Sequence, residues 1–356
     1  MTIGCGFDNF FSSKLTTWYE VHKRALPWRE TKDPYKIWLS EIILQQTRVV
    51  QGIDYFIRMI NRFPDVQALA NAEEDEVLKY WQGLGYYSRA RNLHASAKTI
   101  VAEHGGEMPL DHSKLLKLKG IGEYTAAAIV SFAANKPYPV VDGNVFRFLS
   151  RYFAIAEPID TGKGKKVFTE LAGNLMDKKA PGLFNQAIME FGALQCVPRQ
   201  PDCISCPFAD SCMAWEKNKV ESYPVKQGKV KMQNRYLHYF QIIHDSFTYI
   251  YKRDGQDIWR SLYEFPMIET DKAMDFEELK ETVPFKAMFT NAGDAQFKLL
   301  VAHKKHVLSH RVLYANFYCV HIENPHNLPK QFLQIKKEDV HKYAVHRLMA
   351  EFLEFA

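Results

Sequence analysis

From residue 11 to about residue 220, apolar residues recur at intervals of three and four with short polar or Gly/Pro interruptions. That spacing gathers them on one face of a helix. It predicts helices over Lys36 to Phe56, Val66 to Trp81, Ser88 to His104, Ser113 to Leu118, Tyr124 to Ala134, Asp142 to Phe153 and Lys165 to Met176. At Glu221 to Arg235 (ESYPVKQGKVKMQNR) the text turns polar and basic, carries Pro224 and Gly228, and reads as a connector between domains. Beyond it, Tyr236 to Tyr251 and Val312 to Ile322 are rich in β-branched and aromatic residues in loose alternation, as strands are. Met274 to Thr282 and Val340 to Phe355 read as two late helices, which makes the second part α+β. No fixed-period repeat or low-complexity tract appears.

At 356 residues the chain is long enough for two domains. Its 47% hydrophobic and 24% charged residues are those of a globular protein, which argues against a disordered or fibrous one. The longest apolar runs, such as Ala126 to Ala134, fall far short of the roughly 18–20 residues that span a bilayer. The start, MTIGCGFDNFFSSK, lacks the basic head and apolar core of a signal peptide, so an intracellular location is expected, cytoplasm or nucleoid if the source is bacterial. The net charge of +5 is compatible with nucleic acid but does not argue for it, because phosphate binding needs a local patch.

Cysteine placement is more informative. Cys196, Cys203, Cys206 and Cys212 share one 17-residue window with spacing C-x6-C-x2-C-x5-C, whereas Cys5 and Cys319 stand apart. Four thiolates converging on one centre suit either tetrahedral zinc or an iron-sulfur cube. Zinc sites usually pair two short knuckles, and only one short pair is present, so the wide gaps favour a cluster.

Four further segments carry chemistry. In LKGIGEYTAAAI, Gly120 and Gly122 flank Ile121 at a helix start. The backbone there can turn tightly and offer unpaired N–H groups to a phosphate, the pattern of a helix-hairpin-helix. In WLSEIILQQT, Glu41 lies among Trp38, Leu39, Ile42, Ile43 and Leu44. An apolar setting raises a carboxyl pKa and keeps a proton for general-acid work. Gln45, Gln46 and Thr47 add amide and hydroxyl groups at the end of that element. In VVDGNVFR, Asp142 is placed to cap a helix, and the cap bonds are expected to hold it ionised. A charged Asp facing a protonated Glu is the pair that cleaves glycosidic bonds, with Asn144 able to orient either partner. In WQGLGYYSRARNLH, Gly83 and Gly85 shape a loop presenting Tyr86 and Tyr87, followed by Arg89 and Arg91, aromatic wedges beside cations that suit an opened duplex.

These segments, in this order and spacing, resemble the helix-hairpin-helix DNA glycosylases of the endonuclease III superfamily, and within it the MutY-type adenine DNA glycosylases. The likeness runs from about Trp18 to Cys212, including LPWR at Leu26 to Arg29 and FNQAIMEFGA at Phe184 to Ala193, and continues more weakly after it. It implies a multidomain fold: an all-α helical catalytic region over 1–225, a basic connector over 226–235, and an α+β MutT-like (Nudix-fold) domain over 236–356. Within the first region a six-helix barrel with the hairpin spans about 30–138, and 1–29 with 139–225 form the iron-sulfur subdomain. WRSLYEFP at Trp259 to Pro266 resembles the W-x-x-L-x-x-F-P block of the recognition domain, and no pyrophosphatase G-x5-E-x7-RE-x2-EE box is present.

By that resemblance the chain is a DNA glycosylase of base excision repair that removes adenine mispaired with 8-oxoguanine or guanine, preventing G:C to T:A transversions. The lyase branch carries a lysine two residues after the second hairpin glycine; here Tyr124 stands there, so the amine of a Schiff-base mechanism is lacking and a monofunctional hydrolase is implied. Glu41 protonates adenine N7, Asp142 stabilises the sugar cation, and Tyr124, Asn144, Arg29 and Gln186 line or support the base pocket. Gln46, with Thr47 beside it, and Tyr86 meet the gap opposite; Arg89, Arg91, Gly120 and Gly122 hold DNA; and Ser309 with His310 inspects the oxidised base, Leu308 replacing the Phe of the family loop. The implied cofactor is a 4Fe-4S cluster on Cys196, Cys203, Cys206 and Cys212, and the implied partner is duplex DNA bound by a monomer. Three rival readings are a lyase acting on damaged pyrimidines, a non-catalytic iron-sulfur DNA-binding module, and a nucleotide pyrophosphatase.

Overall fold

The computed structural model describes residues 7–228, 232–289, 295–325 and 328–355. In chain order the helical part comprises α1 (Phe7–His22), α2 (Pro34–Leu44), α3 (Val49–Arg62), α4 (Val66–Asn71), α5 (Glu74–Trp81), α6 (Ser88–His104), α7 (His112–Leu115), α8 (Glu123–Ala134), α9 (Gly143–Tyr152), α10 (Gly162–Leu175), α11 (Pro181–Leu194) and α12 (Met213–Glu216). A sheet region follows with β1 (Gln233–His244), β2 (Phe247–Lys252), β3 (Tyr263–Glu264), β4 (Met267–Thr270), α13 (Phe276–Lys280), α14 (Val283–Phe289), β5 (Gln296–Val307), β6 (Arg311–His321), β7 (Leu333–Lys336) and α15 (Arg347–Leu353). Cys5 lies outside the described residues. By contacts the chain forms two compact units, Met1–Asn71 with Asn92–Gly228, and Ala72–Arg91 with Lys229–Ala356. The stretch 72–91 thus counts with the sheet, a grouping that linear order does not suggest.

Two long predicted helices are each broken. Lys36 to Phe56 divides at Gln45–Arg48, where Gln46 takes a left-handed φ of +56°. The hydrophobic character changes at the same point: α2 buries nearly every residue from Tyr35 to Ile43, while α3 buries only Gly52, Phe56 and Met59 on one face. Gly52 lets α3 fold back closely, since a Cβ there would lie 2.8 Å from Leu44 Cδ2. Val66 to Trp81 divides before α5, whose first turn carries Glu74, Asp75 and Glu76, a run that favours a helix N-terminus. The Tyr236 to Tyr251 stretch is a hairpin rather than one strand, β1 starting within the stretch read as connector. Val340 to Phe355 resolves into a 3-10 turn (Lys337–Lys342) and the shorter α15.

The hairpin at Gly120 follows the sequence reading. Gly120 has φ +78°, Ile121 is buried, and Gly122 caps α8. Ser96 Oγ donates to the Lys119 carbonyl at 2.9 Å, tying the turn to α6. In the helical unit a large core gathers α1, α9, α10 and α11 around Phe148, Phe191 and Phe208. In the sheet unit the strand order is β3-β2-β1-β6-β5, with β1 parallel to β6 and its side chains alternating between two cores. Leu237 and Tyr239 face α15, whereas Phe240 and Ile242 face Phe285 and Phe289 of α14.

Gly120→Ala tests the hairpin. A Cβ there would meet Asn92 Cβ at 2.8 Å on a backbone that L-residues avoid. The expected loss is about 1–2 kcal/mol in thermal or denaturant unfolding, together with weaker binding to any duplex regardless of its bases.

Candidate active site

Within the helical unit a cavity of about 810 Å3 collects Arg29, Glu41, Tyr124, Asp142, Asn144 and Gln186, with Gln46 and Thr47 on its wall. Glu41 enters from α2, which is apolar on all sides and so carries the carboxyl into the interior, where it is 7% exposed. Tyr124 comes from the first turn of α8. Asp142 caps α9, accepting from the backbone N–H of Asn144 at 2.9 Å and of Val145 at 2.8 Å, as expected of an N-cap. Asn144 turns its amide back onto Asp142 Oδ2 at 2.6 Å, so it orients the aspartate.

The two carboxyls differ in kind. Burial raises Glu41 to about 7; the Tyr124 hydroxyl bond opposes the rise, the Asp142 charge adds to it, and Arg29 opposes it. Glu41 is therefore a reservoir for a proton near neutrality. For Asp142 the outcome corrects the expectation that cap bonds alone settle its charge: burial raises its pKa, and the Val145 and Asn144 bonds with Arg147 counter that rise. Three donors and one cation, rather than exposure to water, oppose the rise.

Those donors reach further. Arg147 Nη2 donates to Asn144 Oδ1 at 2.8 Å while its Nε donates to the Cys196 carbonyl at 2.7 Å, so one guanidinium braces both the aspartate's partner and the cysteine loop. Cys196, Cys203, Cys206 and Cys212 line one small apolar cavity and carry no disulfide. Among the described residues no three His, Cys, Asp or Glu side chains converge as ligands of a single ion. Buried Arg151 points Nη1 at Cys196 Sγ, 3.5 Å away, and spends its other bonds on the carbonyls of Val197, Pro198, Val220 and Tyr223. A buried cation facing thiols suits an anionic group held by thiolates.

Residues 39–173 match the HhH-GPD superfamily of base excision DNA repair proteins, and residues 238–355 match the NUDIX domain. The chain is 37% identical over 272 residues to an adenine DNA glycosylase of Buchnera aphidicola from Schizaphis graminum, covering 76% of this chain and 78% of that protein. It is 33% identical over 309 residues to the adenine DNA glycosylase of the Buchnera from Baizongia pistaciae, covering 86% and 84%. The chain belongs to the adenine DNA glycosylase family. Among solved structures it resembles a thermostable thymine-DNA glycosylase at TM-score 0.55 and 29% identity, over 59% of this chain and 97% of that one. A trapped endonuclease III–DNA covalent intermediate shares the fold at TM-score 0.53 and 19% identity, over 61% and 99%. The protein is thus a DNA glycosylase, a hydrolase of N-glycosyl bonds.

Several side chains of this glycosylase escaped the sequence reading. Glu190 lines the same cavity and is 1% exposed. Burial would raise its carboxyl, but the guanidiniums of Arg24 and Arg29 overcome that and hold it at about 2. Arg29, expected in the pocket wall, lies there with both Nη atoms committed to Glu190, at 2.9 and 2.7 Å. Tyr19 Oη donates to Gln186 Oε1 at 2.7 Å and so fixes that amide. Lys165 brings an amine to the cavity from α10. The visible signal was helical spacing: Gln186, Met189 and Glu190 fall on one face of α11.

In the other unit Tyr86, half exposed with φ +48°, touches the Ser309 hydroxyl, and His310 lines the cavity beside them. Two expected DNA contacts read differently. Arg89 is 9% exposed, lies over the Trp81 and Tyr86 rings and donates to the Gly85 carbonyl at 3.2 Å; burial lowers its pKa to about 10. It supports the tyrosine loop instead of reaching phosphate. Arg91 donates to the Arg260 carbonyl at 2.7 Å.

The state of Glu41 makes stability depend on pH. Its folded pKa is raised, so between the ordinary carboxyl range and about 7 the native chain keeps a proton that the unfolded chain releases. Stability from this group is present at low pH and is lost as pH rises through that window. Glu41→Gln removes the loss, and urea unfolding should find the variant more stable than wild type at about pH 8, by on the order of 1–3 kcal/mol. The gain should shrink toward about pH 5.

Proposed function

We propose that the enzyme excises adenine paired with 8-oxoguanine, or with guanine, from duplex DNA. The carrying observation is the pair in one cavity: Glu41 raised to about 7 by burial, and Asp142 bonded by a helix N-terminus and Asn144. Flipping is required because an N-glycosidic bond inside the stack is out of reach, and a mispaired base costs less to extrude. Glu41 donates its proton to N7 of the flipped adenine, which turns a poor anionic leaving group into a neutral one. As the C1′–N9 bond opens, Asp142 meets the developing oxocarbenium ion, by charge or as a transient acetal. Glu41, now a carboxylate with Tyr124 against it, takes the proton of the incoming water. Tyr124 offers a phenol where a lyase needs an amine, in keeping with hydrolysis alone.

Arg29 and Gln186 line the space for the base edge, with Glu190 holding Arg29 in place, while Gln46 and Tyr86, both on left-handed backbone, are suited to fill space left in the stack. Gly120 and Gly122 would hold phosphate, and Ser309 with His310 would inspect the oxidised base. Cys196, Cys203, Cys206 and Cys212 would hold a 4Fe-4S cluster, which supplies a charged anchor for a DNA-facing loop. The protein acts as a monomer in this reading.

Single-turnover base release from duplexes pairing adenine with 8-oxoguanine, guanine and cytosine tests the reading. Release should be fastest opposite 8-oxoguanine and negligible opposite cytosine. Glu41→Gln should retain duplex binding and lose about 10²–10⁴-fold in rate; Asp142→Asn should behave likewise. Because Glu41 must start protonated, the wild-type rate should fall about tenfold per pH unit above its pKa. Equal release from all three duplexes would rule the reading out.

A further inference from the structure

We propose that Trp259 is a positioning residue for discrimination of the oxidised base, holding the Ser309 turn in place through the buried pair His346 and Glu264. The inference rests on the recognition role proposed above for Ser309. Trp259 has φ +62°, and Ser261 two residues on has φ +66°. A bulky residue on left-handed backbone costs about 1–2 kcal/mol, and such strain persists only where the surroundings over-determine it.

The surroundings are well defined. One face of the indole stacks on the His346 ring, with centroids 3.8 Å apart and planes 8° from parallel. His346 is fully buried; its Nδ1 accepts the Met349 N–H at 3.2 Å, which leaves Nε2 to donate to Glu264 at 3.1 Å. That assigns the neutral tautomer, in line with burial lowering the ring's pKa. Glu264 is itself fully buried; its Oε2 also receives Tyr239 Oη at 3.2 Å, and its Oε1 receives Arg253 Nη1 at 2.6 Å together with Tyr251 Oη. The platform beneath Trp259 is therefore a closed set of charges and hydrogen bonds with little freedom to move.

Above the platform lies a cavity of about 610 Å3, lined by Trp259 together with Tyr86, His306, Leu308 and Ser309. The His306 ring stands 6.2 Å from the indole, and Leu308 packs into the same apolar cluster as Trp259. Leu308 N–H closes a tight turn on the Arg311 carbonyl at 2.8 Å, and Asp257 clamps Arg311 from the segment leading into Trp259, at 2.9 Å. Ser309 projects from that turn onto Tyr86. The indole and the apolar root of the turn whose tip carries the serine thus pack against one cluster and share one cavity wall.

Single-turnover rates opposite 8-oxoguanine and opposite guanine, for wild type, Ser309→Ala, Trp259→Ala and Trp259→Phe, test the proposal. Trp259→Ala should slow release opposite 8-oxoguanine about ten- to a hundredfold and leave release opposite guanine within about twofold, and Trp259→Phe should restore most of the preference. A preference lost in Ser309→Ala but kept in Trp259→Ala overturns the positioning role alone. One kept in both overturns the recognition reading as well. An equal fall on both substrates in Trp259→Ala overturns the proposal, because a displaced recognition turn spares release opposite guanine.

Discussion

The reaction proposed for this protein depends on keeping one carboxyl protonated beside another that is not. Two carboxyls in the same cavity repel when both are charged, and a low-dielectric interior sharpens that repulsion. The protein separates their states by local structure. Glu41 sits in the middle of a helix with no free backbone donors, and its neighbours on α2 are Trp38, Leu39, Ile42 and Ile43, all buried. Asp142 sits at the start of a helix, where unpaired N–H groups are available by construction. The same burial raises both, and the donors that oppose it differ in number: one phenol for Glu41, two amides and a side-chain amide for Asp142. The remaining site residues keep these two environments apart.

Much of this asymmetry was legible in the chain. The all-apolar run around Glu41 foretold a buried carboxyl, and the step from an extended stretch to a helix at Asp142 foretold a cap. What was not legible came from long-range burial. Glu190 reads as one charge on an otherwise apolar helix, and only the arrival of Arg24 and Arg29, more than 160 positions away, turns it into an ionised acceptor in the cavity. Arg89 reads as a cation for DNA because its spacing carries no record of the Trp81 and Tyr86 rings that enclose it. The break after α2 was hidden for a related reason: QQT is compatible with a helix, and the turn is set by how closely α3 must pack at Gly52.

The same burial logic explains how a cysteine loop can matter to a reaction in which no sulfur takes part. Asp142 is braced by Asn144, Asn144 by Arg147, and Arg147 by the carbonyl of Cys196. Each link is a short directional bond at a partly buried position, where an unmade bond costs more than a made one contributes. The cysteine loop and the reacting carboxylate are therefore coupled through a single guanidinium. Removing the order of the loop removes a partner from Asn144 before it touches the cavity itself.

In the reading proposed above, the sheet unit turns a catalytic architecture to recognition. Its NUDIX-type fold lacks the acidic box that would gather metal for pyrophosphate cleavage, and its buried acid, Glu264, is committed to His346, Arg253 and two tyrosines. A carboxylate so fully bonded has no remaining lone pair directed at solvent and is unsuited to bind a hydrated metal. It is well suited to fix a rigid floor. Within the W-x-x-L-x-x-F-P block, Leu262, Glu264 and Phe265 are sealed in the interior while Trp259 alone faces the cavity, so the block is better understood as one indole and its foundation than as a set of contacts to DNA. In the proposed reading, discrimination comes from the stiffness with which a short turn is held, and the strained backbone lies at Trp259 rather than at the serine.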